Sequence, residues 1–267
     1  MKVKKIFLLF LSFTLITLSF IPKVYGYSGK VAYIYYSDNT SGYSYKTLFN
    51  NNGFQTDLIF LSNITTGMFD NYDVIIMGSD TGYNDTWYGD TSQLFIVNSS
   101  KLPIIGLGVG GFAFFGINGL NLTIGYGSGS YSTLPYMDIE TVNKAHYIFN
   151  IPNELPKGNL QIDYEGCIIC TVFLLEIPSN IMVFGRTSQW SYTHLYEDER
   201  YFLWGFINTP NTMTEIGKDL FINILDFYTP PEVSNGFFEK IPGYDLFILI
   251  GIFSVSTIIL LKKKYNN

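Results

Sequence analysis

The chain has 267 residues, of which 47% are hydrophobic, 18% aromatic and only 14% charged, so it is too apolar for disorder and long enough to bury the core of one large domain or two small ones. Lys2, Lys4, Lys5, Lys23, Lys262, Lys263 and Lys264 lie at the ends, which leaves nine basic residues against 22 acidic ones between positions 27 and 261, a net charge of −13 there. That balance excludes a nucleic-acid partner held by phosphate neutralisation.

Residues 1–26 combine a basic start, an apolar run over 6–21, then Pro22 and the small residues Val24 and Gly26. They read as a secretory signal peptide cut after Gly26. The alternative is an uncleaved anchor, for which the run is short, since a bilayer needs roughly 20 residues. On either reading the middle of the chain is exported.

The exported domain spans 27–229. Its first strand is 31–36 (VAYIYY), followed by a polar turn, a helix over 45–51 ended by Asn52 and Gly53, and a second strand over 56–60. A third strand, 73–77 (DVIIM), empties into Gly78-Ser79-Asp80-Thr81-Gly82, and a fourth, 103–107 (PIIGL), into Gly108-Val109-Gly110-Gly111 and a helix start at 112–115. These runs are apolar on both faces, as in a buried parallel sheet, and their alternation with helices predicts a doubly wound α/β domain. The pattern changes at 117–145, rich in Gly, Asn, Ser and Tyr; 167–175, 181–185 and 201–206 read as further strands, and 214–228 closes the domain as an amphipathic helix with Ile216, Leu220, Ile224 and Phe227 on one face.

Residues 230–243 form a tether, 244–261 a transmembrane helix and 262–267 a basic tail held in the cytoplasm by the positive-inside tendency. A buried core helix is the alternative, against which the three consecutive Lys argue. The domain would therefore be extracellular on a single-pass membrane protein. The tail, Ile241-Pro242-Gly243-Tyr244, one apolar helix and a basic cluster, resembles the tripartite sorting tails of archaeal surface proteins. That resemblance implies processing by a sortase-like enzyme and replacement of the helix by a lipid anchor; a plain single-pass anchor is the alternative.

In a sheet of this kind ligands sit at the carboxyl ends of the strands. This groups Ser37 and Asp38, Gly78 to Gly82 with Ser79 and Asp80, and Gly108, Val109, Gly110 and Gly111 along one cleft. The strand ends at 73–80 and 103–111, with the closing 201–228 unit, make the chain similar to the class I glutamine amidotransferase-like superfamily, in particular its trehalose-utilisation-type relatives. The resemblance implies a flavodoxin-like three-layer sandwich with a mostly parallel sheet. Catalytic members carry Gly-x-Cys-x-Gly, a nucleophile elbow. Here Gly108 stands at the cysteine position of Gly106-Leu-Gly-Val-Gly110, and the downstream His, followed two positions later by Glu in the family, is not reproduced, since His194 has Tyr196 there. The glycine turn has two readings: a backbone-lined pocket at a helix N-terminus, suited to a carboxylate, phosphate or carbonyl oxygen, or mere permission for tight packing.

His194 is expected in a loop among tyrosines and acids, and His146 in a structural segment. Two His and no Cys-His spacing argue against a zinc centre; Glu197-Asp198-Glu199 reads as a solvated turn, with calcium as the alternative. Cys167 and Cys170 lie on a strand, where i and i+3 face opposite ways, so two buried free thiols are expected unless a bulge permits a disulfide. Asn39, Asn63, Asn84, Asn98 and Asn121 begin sequons, and Trp87, Tyr88, Tyr126 and Tyr131 either stack on sugars or fill the core. The sequence thus predicts an exported, membrane-anchored, non-catalytic surface module without cofactor or metal, binding carbohydrate or another small polar ligand. The alternatives are a hydrolase in which Asp80 and His194 act on water and a structural cell-surface component.

Overall fold

The computed structural model describes residues 29–229. The signal peptide, tether, transmembrane helix and basic tail lie outside them; among the described residues no helix is long and apolar enough to cross a membrane.

The first half is a parallel block of five strands in the order β2-β1-β3-β6-β13. These are β1 (Lys30–Tyr35), β2 (Gln55–Phe60), β3 (Val74–Met77), β6 (Ile104–Leu107) and β13 (Tyr201–Trp204). Numbered within the block, the order is 2-1-3-4-5, the flavodoxin-like arrangement. Every residue of β3, β6 and β13 is buried. That is why these strands read as unbroken apolar runs: successive side chains alternate between two covered faces. Along β1, Val31 and Tyr33 join one core, and Ala32 and Ile34 the other.

Two helices cover the first face. They are α1 (Asn39–Asn51), through Tyr45 and Phe49, and α4 (Glu215–Tyr228), through Leu220, Phe221, Ile224 and Leu225. The second face takes α2 (Thr91–Ser99), through Val97, and α3 (Gly108–Phe115), through its Phe112-Ala113-Phe114-Phe115 run. The result is three layers. Rings carry much of the first interface: Phe221 packs on Phe49 at 5.5 Å and on Trp204 at 4.9 Å between centroids.

Beyond β13 the sheet continues antiparallel through β12 (Ser191–Glu197), β11 (Ile181–Ser188), β8 (Asp138–Thr141) and β9 (Asn159–Gln161). Off this path, β10 (Cys167–Phe173) pairs with β12 and with β7 (Gly129–Tyr136). A separate hairpin, β4 (Gly82–Tyr83) with β5 (Thr86–Trp87), leads into α2.

Several expectations need correction. The first helix begins at Asn39 rather than 45, because the Asp38 carboxylate caps it by accepting from the Ser41 N–H at 3.1 Å. Helix α2 had no predicted counterpart; it is fixed by a capping box in which Asp90 and Gln93 exchange hydrogen bonds with each other's backbone. Residues 129–141, grouped by composition with a Gly-rich stretch, contain β7 and β8. His194 lies in strand β12, not in a loop.

Candidate functional site

Four parallel strands deliver their carboxyl ends to one rim, and the loop after β1 is held there by Asp80. One oxygen of its carboxylate accepts three consecutive backbone N–H groups, from Tyr36 at 3.0 Å, Ser37 at 2.6 Å and Asp38 at 2.6 Å. A carboxylate facing a row of amides is a strong, orienting arrangement. Asp80 thus fixes the turn that places Asp38, which in turn caps α1 and also accepts from the Ser41 hydroxyl.

After β3 the chain enters a short 3-10 turn, Ser79–Thr81, in which the Thr81 hydroxyl donates to the Gly78 carbonyl at 2.7 Å. After β6 it turns directly into α3. Gly108 has φ +44°, the left-handed conformation of an elbow, which glycine adopts at no steric cost. A Cβ at Gly108 would lie 2.4 Å from Ile207 Cγ2 and 3.0 Å from Ser79 Oγ. Ile207 therefore stands where the first carbon of a side chain at position 108 would lie.

Gly110 and Gly111 serve close packing. A Cβ on Gly110 would meet the Gly78 carbonyl oxygen at 2.1 Å, and one on Gly111 the Gly106 carbonyl carbon at 2.2 Å. Val109 is half-buried and packs against the second core.

A cavity of about 130 Å³ is lined by Asp38, Ser79 and Asp80 together with Tyr33, Tyr45 and Asn208, whereas Gly108, Val109, Gly110 and Gly111, expected in the same cleft, are not among its lining residues. The Tyr45 hydroxyl donates to the Asn208 carbonyl oxygen at 2.9 Å, and the Trp204 indole N–H to Asn208 Oδ1 at 3.3 Å. Asn208 Nδ2 is buried with no hydrogen-bond partner. Burial, then the charges of Asp80 and Asp38, push the Tyr33 phenol far up. A second cavity, about 40 Å³, lies by Thr141 and Leu155 in the antiparallel half and touches none of these groups.

The structure thus brings Asp38, Ser79 and Asp80 together and sets Gly108 next to Ser79. His194 does not join them. Its strand pairs with β13 through the His194–Trp204 register, and the ring is fully buried, 4.3 Å from the Trp204 ring and 5.6 Å from that of Phe206. Its Nδ1 meets the Thr193 hydroxyl at 2.9 Å and its Nε2 has no partner. The residues that sequence reasoning missed are Ser41, Tyr33, Tyr45 and the run from Ile207 to Thr209. Only the last carried a signal, since it follows a predicted strand and the strand-end rule applies to it equally.

His146 packs on Phe184 and Phe227, and burial lowers its pKa. Glu197 is buried and accepts from the Ile124 N–H at 3.1 Å, so the Glu197-Asp198-Glu199 turn is not a fully solvated one. Among the described residues no three His, Cys, Asp or Glu side chains are grouped to hold a metal ion. Trp87 is buried against Phe114, and Tyr126 packs on Phe112, whereas Tyr88 is exposed beside Tyr36 at 4.8 Å. Asn39, Asn63 and Asn121 are exposed; Asn84 and Asn98 are half-buried, and Asn98 Oδ1 accepts from Arg200 and Tyr201.

Both cysteines are free. A bulge does occur between Cys167 and Ile169, and Cys167 is only half-buried. Burial nevertheless pushes its thiol up to about 12, against the pull of the Ile207 and Asn208 backbone N–H groups, and raises Cys170 as well. At pH 8 only roughly one in ten thousand Cys167 side chains is then thiolate, the reactive form. Iodoacetamide is expected to leave both cysteines unmodified in the folded chain and to alkylate both in urea, as read by mass spectrometry; rapid native labelling of Cys167 contradicts this.

No protein-family model matches the chain, and no curated protein matches it in sequence. Solved structures that resemble it include a Thermoplasma acidophilum protein described as a GMP synthase subunit, with TM-score 0.49, 14% identity, and coverage of 75% of this chain and 94% of that one. A glutamine amidotransferase from Thermotoga maritima gives TM-score 0.46 at 10% identity, covering 76% and 98%. The carbohydrate deacetylase Agd3 gives 0.44 at 11%, covering 68% of this chain and 30% of that one. The class of the domain, a flavodoxin-like α/β sandwich with a glycine elbow, rests on its own strand order and turn geometry.

Proposed function

We propose that this chain is a non-catalytic ligand-binding module of glutamine amidotransferase-like design, displayed outside the cell on a membrane anchor, with its ligand in the cavity between Asp38, Ser79 and Asn208. One observation carries the reading: the elbow conformation is kept at Gly108 while Ile207 stands where the first carbon of a side chain there would lie. An acyl-transfer site built on an elbow needs a nucleophile at the elbow with a base in reach, and glycine at position 108 supplies none, whereas a concave pocket with a few convergent polar groups is what a small-ligand site needs. The hydrolase alternative loses support because Asp80 is engaged by three amides and His194 is sealed in the core. Display and tail processing by a sortase-like enzyme rest on the two chain ends. The two carboxylates at the cavity disfavour an anionic ligand and leave a neutral carbohydrate or another small polar molecule.

The full-length chain is expected to release no ammonia from glutamine and to gain several degrees of melting temperature with neutral monosaccharides at tens of millimolar. Ser79→Phe, which puts a ring into the cavity, is expected to abolish the shift. Glutamine hydrolysis by the pure chain, or a shift that survives Ser79→Phe, defeats the proposal.

A further inference from the structure

The cavity carries charge of one sign. Asp38 and Asp80 line it and no Lys or Arg does, and the field of both carboxylates reaches the Tyr33 phenol on the facing side. Asp80 spends one oxygen on the three loop amides, leaving Oδ1; Asp38 accepts from the Ser41 N–H with one oxygen and from the Ser41 hydroxyl with the other, and each of these oxygens keeps a lone pair. A second, independent observation comes from Asn208. The residue is 6% exposed and lines the same cavity, its Oδ1 is taken by the Trp204 indole, and its Nδ2 is buried without a partner. A buried amide N–H left unsatisfied is costly, and a ligand oxygen relieves that cost. Tyr33 and Tyr45, whose rings stack 5.4 Å apart, also line the cavity, and an aromatic ring within reach favours a cation.

We propose that the cavity selects a small organic cation, a primary ammonium group with a hydroxyl or carbonyl oxygen on the adjacent carbon, as in an amino sugar or amino alcohol. The ammonium faces Asp38, Asp80 and the Tyr33 ring, and the oxygen accepts from Asn208 Nδ2. The proposal deepens the ligand-binding reading and rests on it.

The test is calorimetric titration of the full-length chain with glucosamine, glucose and glucuronate, three pyranoses that differ in charge, and with ethanolammonium, which is small enough to enter whole. Glucosamine is expected to bind about tenfold more tightly than glucose, ethanolammonium to compete with it, and glucuronate not to bind. Asp38→Asn keeps a good helix cap while removing the charge. It is expected to remove the preference for glucosamine over glucose, with the melting temperature of the free protein as the check on folding. Equal binding of glucose and glucosamine, or an unaltered glucosamine affinity in Asp38→Asn, overturns the cation selectivity while the ligand-binding reading stands. No binding by any of the four compounds overturns both.

Discussion

Gly110→Ala and Gly111→Ala are each expected to cost at least ~3 kcal/mol, a large part of the roughly 5–15 kcal/mol that holds a domain of this kind together. The added methyl at Gly110 would lie 2.1 Å from the Gly78 carbonyl oxygen and 2.6 Å from the Thr81 hydroxyl; at Gly111 it would lie 2.2 Å and 2.3 Å from the carbonyl carbon and Cα of Gly106. In both cases the obstacle is mainly the backbone of a buried strand or its turn, which no rotamer change can move aside. Helix α3 would have to lift from β3 and β6 together, and Ser79 would move with them, so the cavity should open or collapse. In a domain of about 200 residues this corresponds to a melting temperature lower by about 6–12 °C. Gly42→Ala in α1 is the internal control. Its Cβ meets Leu58 and Tyr33 side chains at 3.4 Å, an ordinary contact, and alanine in a helix interior is favoured by ~0.5–1 kcal/mol. The same chemical change should therefore raise the melting temperature in α1 and lower it sharply in α3. Equal small effects at all three positions would show that the elbow is not tightly packed.

These contrasts also explain what was legible in the sequence. The parallel strands were readable because burial on both faces leaves an unbroken apolar run, and β3 and β6 differ from their predicted bounds by a single residue at the start. Helix α2 was not, because its apolar residues Leu94, Phe95, Ile96 and Val97 are contiguous rather than spaced by turns; the Asp90–Gln93 capping box was the available signal. Strand β12 was lost for a different reason. Ser191, Thr193 and His194 put polar types inside the sheet, and their accommodation depends on partners such as Gly185 and Trp204 that only the register supplies. At the site, the strand-end rule found Asp38, Ser79 and Asp80 because the loops after β1 and β3 belong to one rim. His194 joined the site only through its expected place in a loop among tyrosines and acids, whereas the direction of a side chain on a strand is decided by pairing, which here turns the imidazole into the aromatic core. That Ile207 packs on the elbow is a contact between segments about a hundred residues apart, and no local pattern encodes it.

The buried imidazole should make the domain acid-sensitive in a way that can be assigned. Burial lowers the His194 pKa from an ordinary 6.5 to about 3, since Nε2 has no partner and the rings of Trp204, Phe206 and Phe202 stand where water would solvate the charged form. Between those two values the unfolded chain takes up a proton at this position and the folded chain does not. Stability is therefore fully present above pH 6.5 and falls as the pH drops toward 3, by about 1.4 kcal/mol per unit and by roughly 4–5 kcal/mol in all. His146, lowered by partial burial, acts with the same sign; Asp226, raised by burial, acts oppositely. Replacing His194 by leucine, close to it in volume and free of titration, isolates the term. The wild-type urea midpoint is expected to fall steeply from about pH 7 to about pH 4, and that of His194→Leu to fall much less, with the two curves converging toward neutral pH. Parallel curves would mean that His194 accepts its proton in the folded state, which requires a polar partner or an opening to solvent at β12 and would return this histidine to the groups able to move a proton.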